Sequence, residues 1–562
     1  MKKLLFLILL SLSPRLILAQ SCTGAVCTAA TCGQSDVLAA LPNGSAPATV
    51  TVNVPAGICT WTTALSYSVP SNVTTLTVQG VTVVSGSCGP GGSCTATDNT
   101  VIIDHYASGI TMTFTTGSSS TVFRFTGITV KQDGSSTAKS NGIVQFNGSS
   151  QNFRMDHVHF IEVNGIGTLG VLTSGCVFGV VDHSLFDLGG PNTPNNGVRV
   201  GHGTCYGDST GAGNGTWATA SNWGQASFLF FENNTFNNGA ANDCHQGGKQ
   251  VWRYNLFNDA FVQAHEQEVD YRGCRATEVY NNTYNGNASD TFDSQYGLET
   301  RMGGTLMWGN TLTNQKTMLD MSNDRDNTGH GFGSAPPITT AAAMTGWGYC
   351  GTLGSGANQG PSNWDYSTAT PGYPCIDQVG RGQGDLITGL FTPPSSTKIN
   401  SASGIVSWPR NVLEPVYEWL NQYNAVPMGA VCGVNPSTPT ISINTDYFCY
   451  TLTWNGTAFT GTAFNGTVGT GSGLLSARPS TCTAGPGGAQ YTSPTGSYGV
   501  GYWATDTNTL YVCTSTNTWT AIYTPYVYPH PLDTSVTPAA TSVVMFAESS
   551  PVVHSRPGGS LK

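Results

Sequence analysis

The sequence predicts an all-β protein whose main body is a right-handed parallel β-helix, a solenoid of stacked coils. Three observations predict it. A short apolar pattern recurs about every 25 residues, and an asparagine recurs at one place within that pattern. Only 9% of the 562 residues are charged, while glycine numbers 70. An average domain is about 25% charged, so this composition is typical of many short strands joined by tight turns.

The repeat reads apolar, any, any, usually Asn, any, then a large apolar residue. Its last positions are 160, 186, 236, 257, 284 and 312, so the steps are 26, 50, 21, 27 and 28 residues. The step of 50 is two steps of 25. The first column of inward side chains is predicted to be Met155, Val181, Phe231, Trp252, Val279 and Met307. The second is predicted to be Phe160, Phe186, Phe236, Phe257, Tyr284 and Leu312.

The recurring asparagines are Asn234, Asn255, Asn282 and Asn310, and they are predicted to lie in a turn. Neighbouring coils lie about 4.8 Å apart, so each side-chain amide can bond backbone groups and its own copy one coil away. A β-sandwich with evenly spaced hairpins is the alternative, but it gives no reason for asparagine to recur.

The N-terminus predicts export. Lys2 and Lys3 precede an apolar run at residues 4–12, and residues 1–19 form a predicted secretory signal peptide. No later segment is apolar enough to cross a membrane, so the protein is predicted to be secreted without a membrane span. The net charge of −10 argues against nucleic acid as a partner.

The cysteines predict disulfides. They number 16, and no CxxC pair occurs. In an exported chain this favours disulfides over metal sites. The spacing predicts the pairs Cys88–Cys94, Cys176–Cys205, Cys244–Cys274, Cys350–Cys375, Cys432–Cys449 and Cys482–Cys513.

The chain divides into five predicted parts. After the signal peptide, residues 20–50 form a cysteine-rich cap over the open end of the solenoid. Residues 51–432 form the β-helix, with long loops at 326–400. Residues 433–533 form a C-terminal β-rich module or cap, and residues 534–562 form a flexible tail.

Several segments resemble a known group of proteins. VPAGICTW at residues 54–61, TVIIDH at 100–105 and FRFTGITV at 123–130 resemble the opening of secreted bacterial β-helix proteins of the pectate-lyase-like superfamily. YRGCRATEVYNNTY at 271–284, GYPCIDQVGRG at 372–382 and YTPYVYPHPL at 523–532 resemble later segments of that group. The resemblance covers about residues 35–430 and returns near 525. It implies a right-handed parallel β-helix and, through better-known members, lyase, glycoside hydrolase or depolymerase activity on polysaccharides.

Charge is concentrated between residues 249 and 301, where 13 of 53 residues are charged. β-Elimination of a uronate polymer needs a base for the proton next to the carboxylate and a cation for the resulting enolate. The resemblance implies that Arg or Lys supplies the base. The predicted catalytic residues are His265, Arg272, Arg275, Glu278 and Arg301. The alternative is that these charges form outward ladders that pair with one another.

A second cluster follows from the register of the repeat. Asp156 and Asp182 are predicted to lie one coil apart, about 5 Å, where two carboxylates can share a proton, hold a cation or act as a hydrolase pair. The predicted substrate-binding residues are Arg253, Asp156, Asp182, His183, Glu232 and Trp308.

No protein residues are predicted as metal ligands, although Ca²⁺ is a candidate cofactor. DRDNTG at residues 324–329 resembles the start of a calcium loop, but Ala335 occupies the place of the closing Glu.

Together these features predict a secreted enzyme that cleaves an acidic polysaccharide, with β-elimination ahead of glycoside hydrolysis. The competing prediction is a non-catalytic surface protein that binds glycan along a flat solenoid face. A groove where Arg, Glu and His converge favours the enzyme, and an unbroken ladder of Thr, Ser and Asn favours binding.

Overall fold

The computed structural model describes residues 22–107, 109–134, 139, 141–162, 169–189, 196–208, 211, 213–266, 272–287, 296–322, 379–382, 399–400, 405–406, 412–424, 431–434, 441–486 and 497–534. The predicted signal peptide, most of the predicted loops at 326–400 and the predicted tail lie outside these residues. So do the predicted Cys350–Cys375 pair and the segment at 324–329.

Three rows of parallel strands, here named sheets A, B and C, follow one another along each coil. Sheet A contains Val26–Thr28, Thr49–Asn53, Thr75–Gln79, Val122–Thr126, Asn152–Asp156, Gly179–Asp182, Leu229–Glu232, Lys249–Arg253, Ala276–Tyr280, Gly304–Trp308, Val416–Trp419 and Tyr447–Phe448. Sheet B contains Gly57–Trp61, Thr100–Asp104, Thr129–Gln132, His159–Ile161, Leu185–Asp187, Thr235–His245, Leu256–Ala264, Thr283–Asn285, Thr311–Thr313 and Gln422–Asn424.

Sheet C is joined to sheet B because Thr235–His245 and Leu256–Ala264 are long enough to run through both. Its other strands are Leu65–Ser68, Met112–Thr116, Val144–Gly148, Leu169–Thr173, Asn196–Gly201, Tyr296–Thr300, Thr317–Met321 and Cys432–Val434. The described chain is thus almost entirely β, and its long parallel sheets are those expected of a stacked β solenoid.

The remaining elements are short. Short antiparallel strand pairs join Val83–Gly86 with Cys94–Thr97, Arg381–Gly382 with Val412–Leu413, Ile399–Asn400 with Ile405–Val406, and Leu452–Trp454 with Phe459–Gly461. A four-stranded sheet near the C-terminus contains Thr470–Gly473, Gly501–Ala504, Thr509–Ser515 and Thr518–Tyr523. The helical segments are Gln34–Ala40, Asn214–Trp217, and the 3₁₀ turns Cys205–Gly207 and Leu475–Ala477. Among the described residues, no helix is long and apolar enough to cross a membrane.

The early strands of sheet A show why the sequence forms sheets. In Thr49–Asn53 the valines alternate with polar residues, and Val50 and Val52 are fully buried. Alternation with period two places every second side chain on the same face. Later strands such as Lys249–Arg253 are buried at every position, because both faces of sheet A are covered there.

Both predicted apolar columns are confirmed. Consecutive members of the first column are register partners in sheet A, and those of the second column are partners in sheet B. The step of 50 residues is therefore one long coil and not two steps of 25, because Val181 pairs directly with Phe231. All twelve side chains have 0% exposure. In the second column the rings stack from coil to coil, with centroids 4.6 Å apart between Phe186 and Phe236 and 4.5 Å apart between Phe257 and Tyr284.

The predicted asparagine ladder is also confirmed. The Nδ2 group of each member donates to Oδ1 of the next, at 3.1 Å from Asn234 to Asn255 and 3.0 Å from Asn282 to Asn310. The ladder continues to Asn421, whose Oδ1 accepts from Asn310 Nδ2 at 2.9 Å. The residue before each asparagine has a positive φ, as at Tyr254 (55°). It lies in the turn that leads from a strand of sheet A to the following strand of sheet B.

Seven disulfides are formed within the described part of the chain. The predicted pairs Cys88–Cys94, Cys176–Cys205, Cys244–Cys274, Cys432–Cys449 and Cys482–Cys513 are confirmed. Cys22–Cys27 and Cys32–Cys59 are additional and lie at the N-terminal end of the solenoid.

The C-terminal four-stranded sheet packs on the outer face of sheet A. The Trp503 ring lies 5.1 Å from that of Trp308 and 5.3 Å from that of Trp419. Tyr280 stacks on Trp308 at 4.7 Å and belongs to the same apolar cluster as Tyr523. This packing buries a face of the solenoid that would otherwise be open to solvent.

Candidate functional site

Polar side chains on the outer face of sheet A, among them Arg253 and Glu232, lie beneath residues 524–534. Arg253 and Glu232 form an ion pair of 2.6 Å with no exposure, and Arg253 also donates to the carbonyls of Tyr526 (2.7 Å) and Val527 (2.8 Å). The backbone N–H of His530 donates to Glu232 at 2.6 Å. Residues 524–534, named here the C-terminal strap, are thus fastened along sheet A.

Asp156 and Asp182 are register partners one coil apart, as the repeat predicts, but neither is exposed. Arg124 donates to both oxygens of Asp156 at 2.7 and 2.6 Å, and Arg154 to both of Asp182 at 3.0 and 2.6 Å. Burial acts to raise the pKa of Asp156, but Arg124, His157 and Arg154 outweigh it and hold that pKa well below its ordinary value.

These contacts bear on the residues predicted to bind substrate, because most of them are already engaged within the protein. Arg154 also donates to Asp533 at 2.8 Å, and His183 lies 2.8 Å from Asp182 and stacks on His157. Trp308 packs against Trp503. The predicted substrate-binding residues therefore lie in the contact between the solenoid and the C-terminal segments, which sequence spacing does not reveal.

Three of the predicted catalytic residues, Arg272, Arg275 and Glu278, are buried in or just before the sheet A strand Ala276–Tyr280. Arg275 donates to both oxygens of Glu414 at 2.6 and 3.0 Å, and Arg272 lies over the ring of Trp217 at 4.6 Å. Glu278 accepts the Gly224 N–H at 2.8 Å, and burial raises its pKa to about 7. These contacts hold the loop at 213–228 against the solenoid, and all three side chains have 0% exposure.

His265 and Arg301, the other two predicted catalytic residues, lie together at the end of sheet C. They join a cluster named here the sheet C site, which consists of Arg199, Asp243, His245, His265, Glu266, Glu299 and Arg301. Arg199 is the register partner of Asp243, and Glu299 that of Gln263. Four successive coils therefore supply the cluster through the stacking of parallel strands.

The inner half of the sheet C site links one arginine to two histidines. Arg199 donates to Asp243 Oδ2 from Nε at 2.9 Å and from Nη2 at 2.7 Å. The other carboxylate oxygen, Oδ1, faces Nε2 of His245. The rings of His245 and His265 stack with centroids 4.0 Å apart.

The outer half links His265 to a second arginine. His265 Nδ1 lies 3.1 Å from the Glu266 carbonyl and 3.4 Å from Glu266 Oε2. Arg301 donates to Glu266 Oε2 at 2.8 Å and to both oxygens of Glu299 at 3.0 Å. An Arg–carboxylate–histidine arrangement is thus present at both ends of the site.

Burial is graded across the sheet C site. The side chains of Asp243 and His245 are only 4% exposed, whereas those of His265, Arg301 and Arg199 are 18%, 19% and 22% exposed. Burial acts to raise the pKa of Asp243, but His245, His265 and Arg199 outweigh it and lower that pKa well below its ordinary value. Burial lowers the pKa of His245 to about 4. At neutral pH the aspartate is ionised and His245 is neutral.

Two groups of side chains in the described residues bring three metal-ligating atoms within 4.8 Å of one another. One is Asp243, His245 and His265. The other is Asp182, His183 and Asp533, where the Arg154 guanidinium already bridges the two carboxylates at 2.6 and 2.8 Å. The first group is the better candidate to hold a cation, because Arg199 occupies only one oxygen of Asp243.

Sequence reasoning did not select Asp243 or His245, although a signal was present. The two residues are separated by one position on a strand, so they share a face, while Cys244 between them points inward to its disulfide. The local coil step, from Phe236 to Phe257, is 21 residues, and His265 follows His245 by 20. Applying the coil step to each histidine would have brought the two rings together.

Comparisons with family models, with curated proteins and with solved structures find no match for this chain. The resemblance to the pectate-lyase-like superfamily therefore rests on the segments quoted above.

Proposed function

We propose that the protein is a secreted enzyme that cleaves an acidic polysaccharide by β-elimination, with the sheet C site as its active site. One observation carries the proposal. Two arginines, two histidines and three carboxylates converge from four successive coils, and His265, Arg199 and Arg301 reach solvent. In a chain with 9% charged residues, such a concentration of acid–base groups is a functional signal.

The arginines suit recognition of a uronate. A planar guanidinium can grip a carboxylate with two parallel hydrogen bonds, which a lysine ammonium cannot do. Each guanidinium of the site already donates to a protein carboxylate, so in this proposal the uronate carboxylate competes with those carboxylates for Arg199 and Arg301.

The histidines suit the proton transfer. In β-elimination a base removes the proton on the carbon next to the carboxylate, and that electron pair forms a C=C bond. The bond to the glycosidic oxygen breaks, and the departing oxygen takes up a proton. His265 is the more exposed imidazole and can accept the first proton directly or through a water. The ionised Asp243 favours a positive charge that develops nearby.

Two further features support the proposed class. A strand–crossover–parallel-strand connection is almost always right-handed, so we infer the right-handed form of the solenoid. The seven disulfides of the described residues fit an oxidising compartment and hence secretion. A hydrolase built on Asp156 and Asp182 has less support, because both carboxylates are buried and each is held by an arginine, so neither is open to a sugar.

The test is a screen of the purified protein against uronate and neutral polysaccharides. Absorbance of unsaturated uronates and new reducing ends are both recorded. We expect both signals on a uronate polymer, and we expect His265→Asn and Arg301→Ala to reduce turnover by about 10²-fold or more. His105→Asn, an exposed histidine several coils away, serves as the matched control and should keep full activity.

The outcomes are distinct. New reducing ends without absorbance would make the protein a hydrolase. Glycan binding without either signal would make it a non-catalytic binding protein. Full activity in His265→Asn would remove the sheet C site from the reaction.

A further inference from the structure

We propose that Asp243, His245 and His265 form a binding site for one divalent transition-metal ion. The proposal goes beyond the elimination reaction, because metal binding can be measured whether or not the protein cleaves a polysaccharide.

The strand geometry brings the three donors together without help from a loop. Asp243 and His245 alternate with Cys244 on the strand Thr235–His245, so both project from one face. His265 directly follows the neighbouring parallel strand, Leu256–Ala264, at the same edge. The ligand atoms of all three lie within 4.8 Å of one another. Two ligands at positions i and i+2 of one strand, with a third beside the adjacent strand, can occupy one triangular face of an ion's coordination polyhedron.

The surrounding groups orient the donors as a second shell does in metal sites. Metal-binding histidines usually direct their second ring nitrogen to a carboxylate or carbonyl. His265 Nδ1 is directed at Glu266, both at its carbonyl (3.1 Å) and at its carboxylate (3.4 Å), so Nε2 is the nitrogen left for an ion. Arg199 holds Asp243 through Oδ2, so Oδ1 is the oxygen turned toward the histidines.

The donor set identifies the class of ion. Two imidazoles with one carboxylate suit Zn²⁺, Fe²⁺, Co²⁺ or Ni²⁺, whereas Ca²⁺ takes six to eight oxygen ligands. His265 is the exposed member, so water or a substrate carboxylate can complete the coordination from the solvent side. This donor set points away from the calcium expected of a pectate-lyase-like enzyme.

The local charge also favours a cation. Three carboxylates, Asp243, Glu266 and Glu299, face two guanidinium groups, those of Arg199 and Arg301. Thiols do not compete for the ion, since the described cysteines are all in disulfides. The catalytic consequence rests on the proposed function: a bound ion would neutralise the uronate carboxylate and lower the pKa of a bound water, and the hydroxide left when that water loses a proton would accept the substrate proton in place of His265.

The experiment measures metal binding on the full-length secreted chain. The protein is stripped with a chelator, and Zn²⁺, Co²⁺ and Ca²⁺ are titrated separately by calorimetry. Elemental analysis after desalting gives the stoichiometry, and the visible absorption of Co²⁺ reports its coordination. We expect about one Zn²⁺ or Co²⁺ per chain with nitrogen-ligated Co²⁺ bands, and no Ca²⁺ binding at this site.

Variants locate the ion. His265→Gln and Asp243→Asn should each weaken Zn²⁺ binding by at least about tenfold, the scale of changes at or next to metal ligands. His183→Gln, in the second group of candidate ligands, is the matched control and should bind like the wild type. If the buried Asp243 variant fails to fold, His265→Gln remains decisive, because that side chain is more exposed, at 18% against 4% for Asp243.

The outcomes separate the two proposals. A chain that binds no Zn²⁺ or Co²⁺, or a His265→Gln variant that binds as well as the wild type, overturns the metal site. If the metal-free chain cleaves uronate polymers at full rate, the metal proposal fails in its catalytic consequence and the enzyme proposal stands. If the ion binds but no polysaccharide is cleaved, the enzyme proposal fails and the metal site stands.

Discussion

Asn282 lies one coil beyond Asn255, and its Oδ1 accepts two hydrogen bonds from that residue. One comes from the Asn255 backbone N–H at 2.9 Å and the other from Nδ2 at 3.0 Å. Asn282 Nδ2 in turn donates to the Trp252 carbonyl at 2.9 Å and to Asn310 Oδ1 at 3.0 Å. A single buried amide therefore satisfies polar groups in three coils.

Replacing Asn282 with alanine should destabilise the protein by about 2–3 kcal/mol, because the backbone N–H and Nδ2 of Asn255 lose their acceptor in a buried turn. Urea unfolding followed by circular dichroism measures the change. Asn285 is the matched control, since it lies in the same coil but is exposed and makes one ladder bond of 3.1 Å to Asn258. Asn285→Ala should cost no more than about 0.5 kcal/mol. Equal losses of stability in the two variants would show that the buried asparagine ladder contributes no more to the free energy of unfolding than the exposed one.

The fold was predictable because the residue pattern of a solenoid recurs once per coil in the sequence. Each coil repeats the same inward positions, so Phe236 and Phe257 could be matched by counting, and the Asn255–Asn282 contact follows from the same count. The covering of sheet A was not predictable in this way. Arg253 donates a hydrogen bond to the carbonyl of Val527, which is 274 residues away in the sequence. No local sequence pattern around either residue predicts that contact.

The candidate site was predictable in part. Charge density alone drew attention to His265 and Arg301, which do lie together. The same signal selected Arg272 and Arg275, whose guanidinium groups lie over Trp217 inside the protein. A count of charges along the chain cannot distinguish a surface group from a buried ion pair, because that depends on which loop folds over it.

The disulfide between Cys244 and Cys274 should contribute more stability than the one between Cys88 and Cys94. The first closes a loop with a sequence separation of 30 residues and the second a loop of 6. Loop-closure entropy then gives about 3.5 kcal/mol against about 2 kcal/mol. Unfolding of the two paired Cys→Ser variants measures the difference. A larger loss for the Cys88–Cys94 pair would contradict the argument from loop length.

Arg275→Ala should destabilise the protein by about 3–5 kcal/mol, because it removes the guanidinium that donates to both oxygens of Glu414, a carboxylate with only 7% exposure. Arg301→Ala should cost less than Arg275→Ala, because the Arg301 side chain is 19% exposed against 0% for Arg275, so water can replace it more readily beside Glu266. Thermal unfolding of the two variants tests this contrast between residues of one type. A melting temperature for Arg275→Ala as high as that for Arg301→Ala would show that the Glu414 pair is not structural.

His202 should make the protein less stable as the pH falls. Its side chain is fully buried, and Nδ1 accepts the Lys249 N–H at 3.0 Å, so the proton lies on Nε2, which donates to the Val177 carbonyl at 3.0 Å. Both nitrogens are thus used by the neutral ring. Burial lowers its pKa to about 3 from an ordinary value of 6.5. Between these two pH values the unfolded chain binds a proton that the folded chain does not.

The free energy of unfolding should therefore fall with decreasing pH from about 6.5 toward 3, and this residue contributes at most about 1.4 kcal/mol per pH unit. His202→Gln removes that contribution. Urea unfolding at intervals between pH 7 and pH 4 should show the variant less stable than the wild type at pH 7, with a gap that narrows by up to about 3 kcal/mol toward pH 4. Parallel curves for the two proteins would mean that His202 is protonated in the folded state, and the assignment of its two hydrogen bonds would then be wrong.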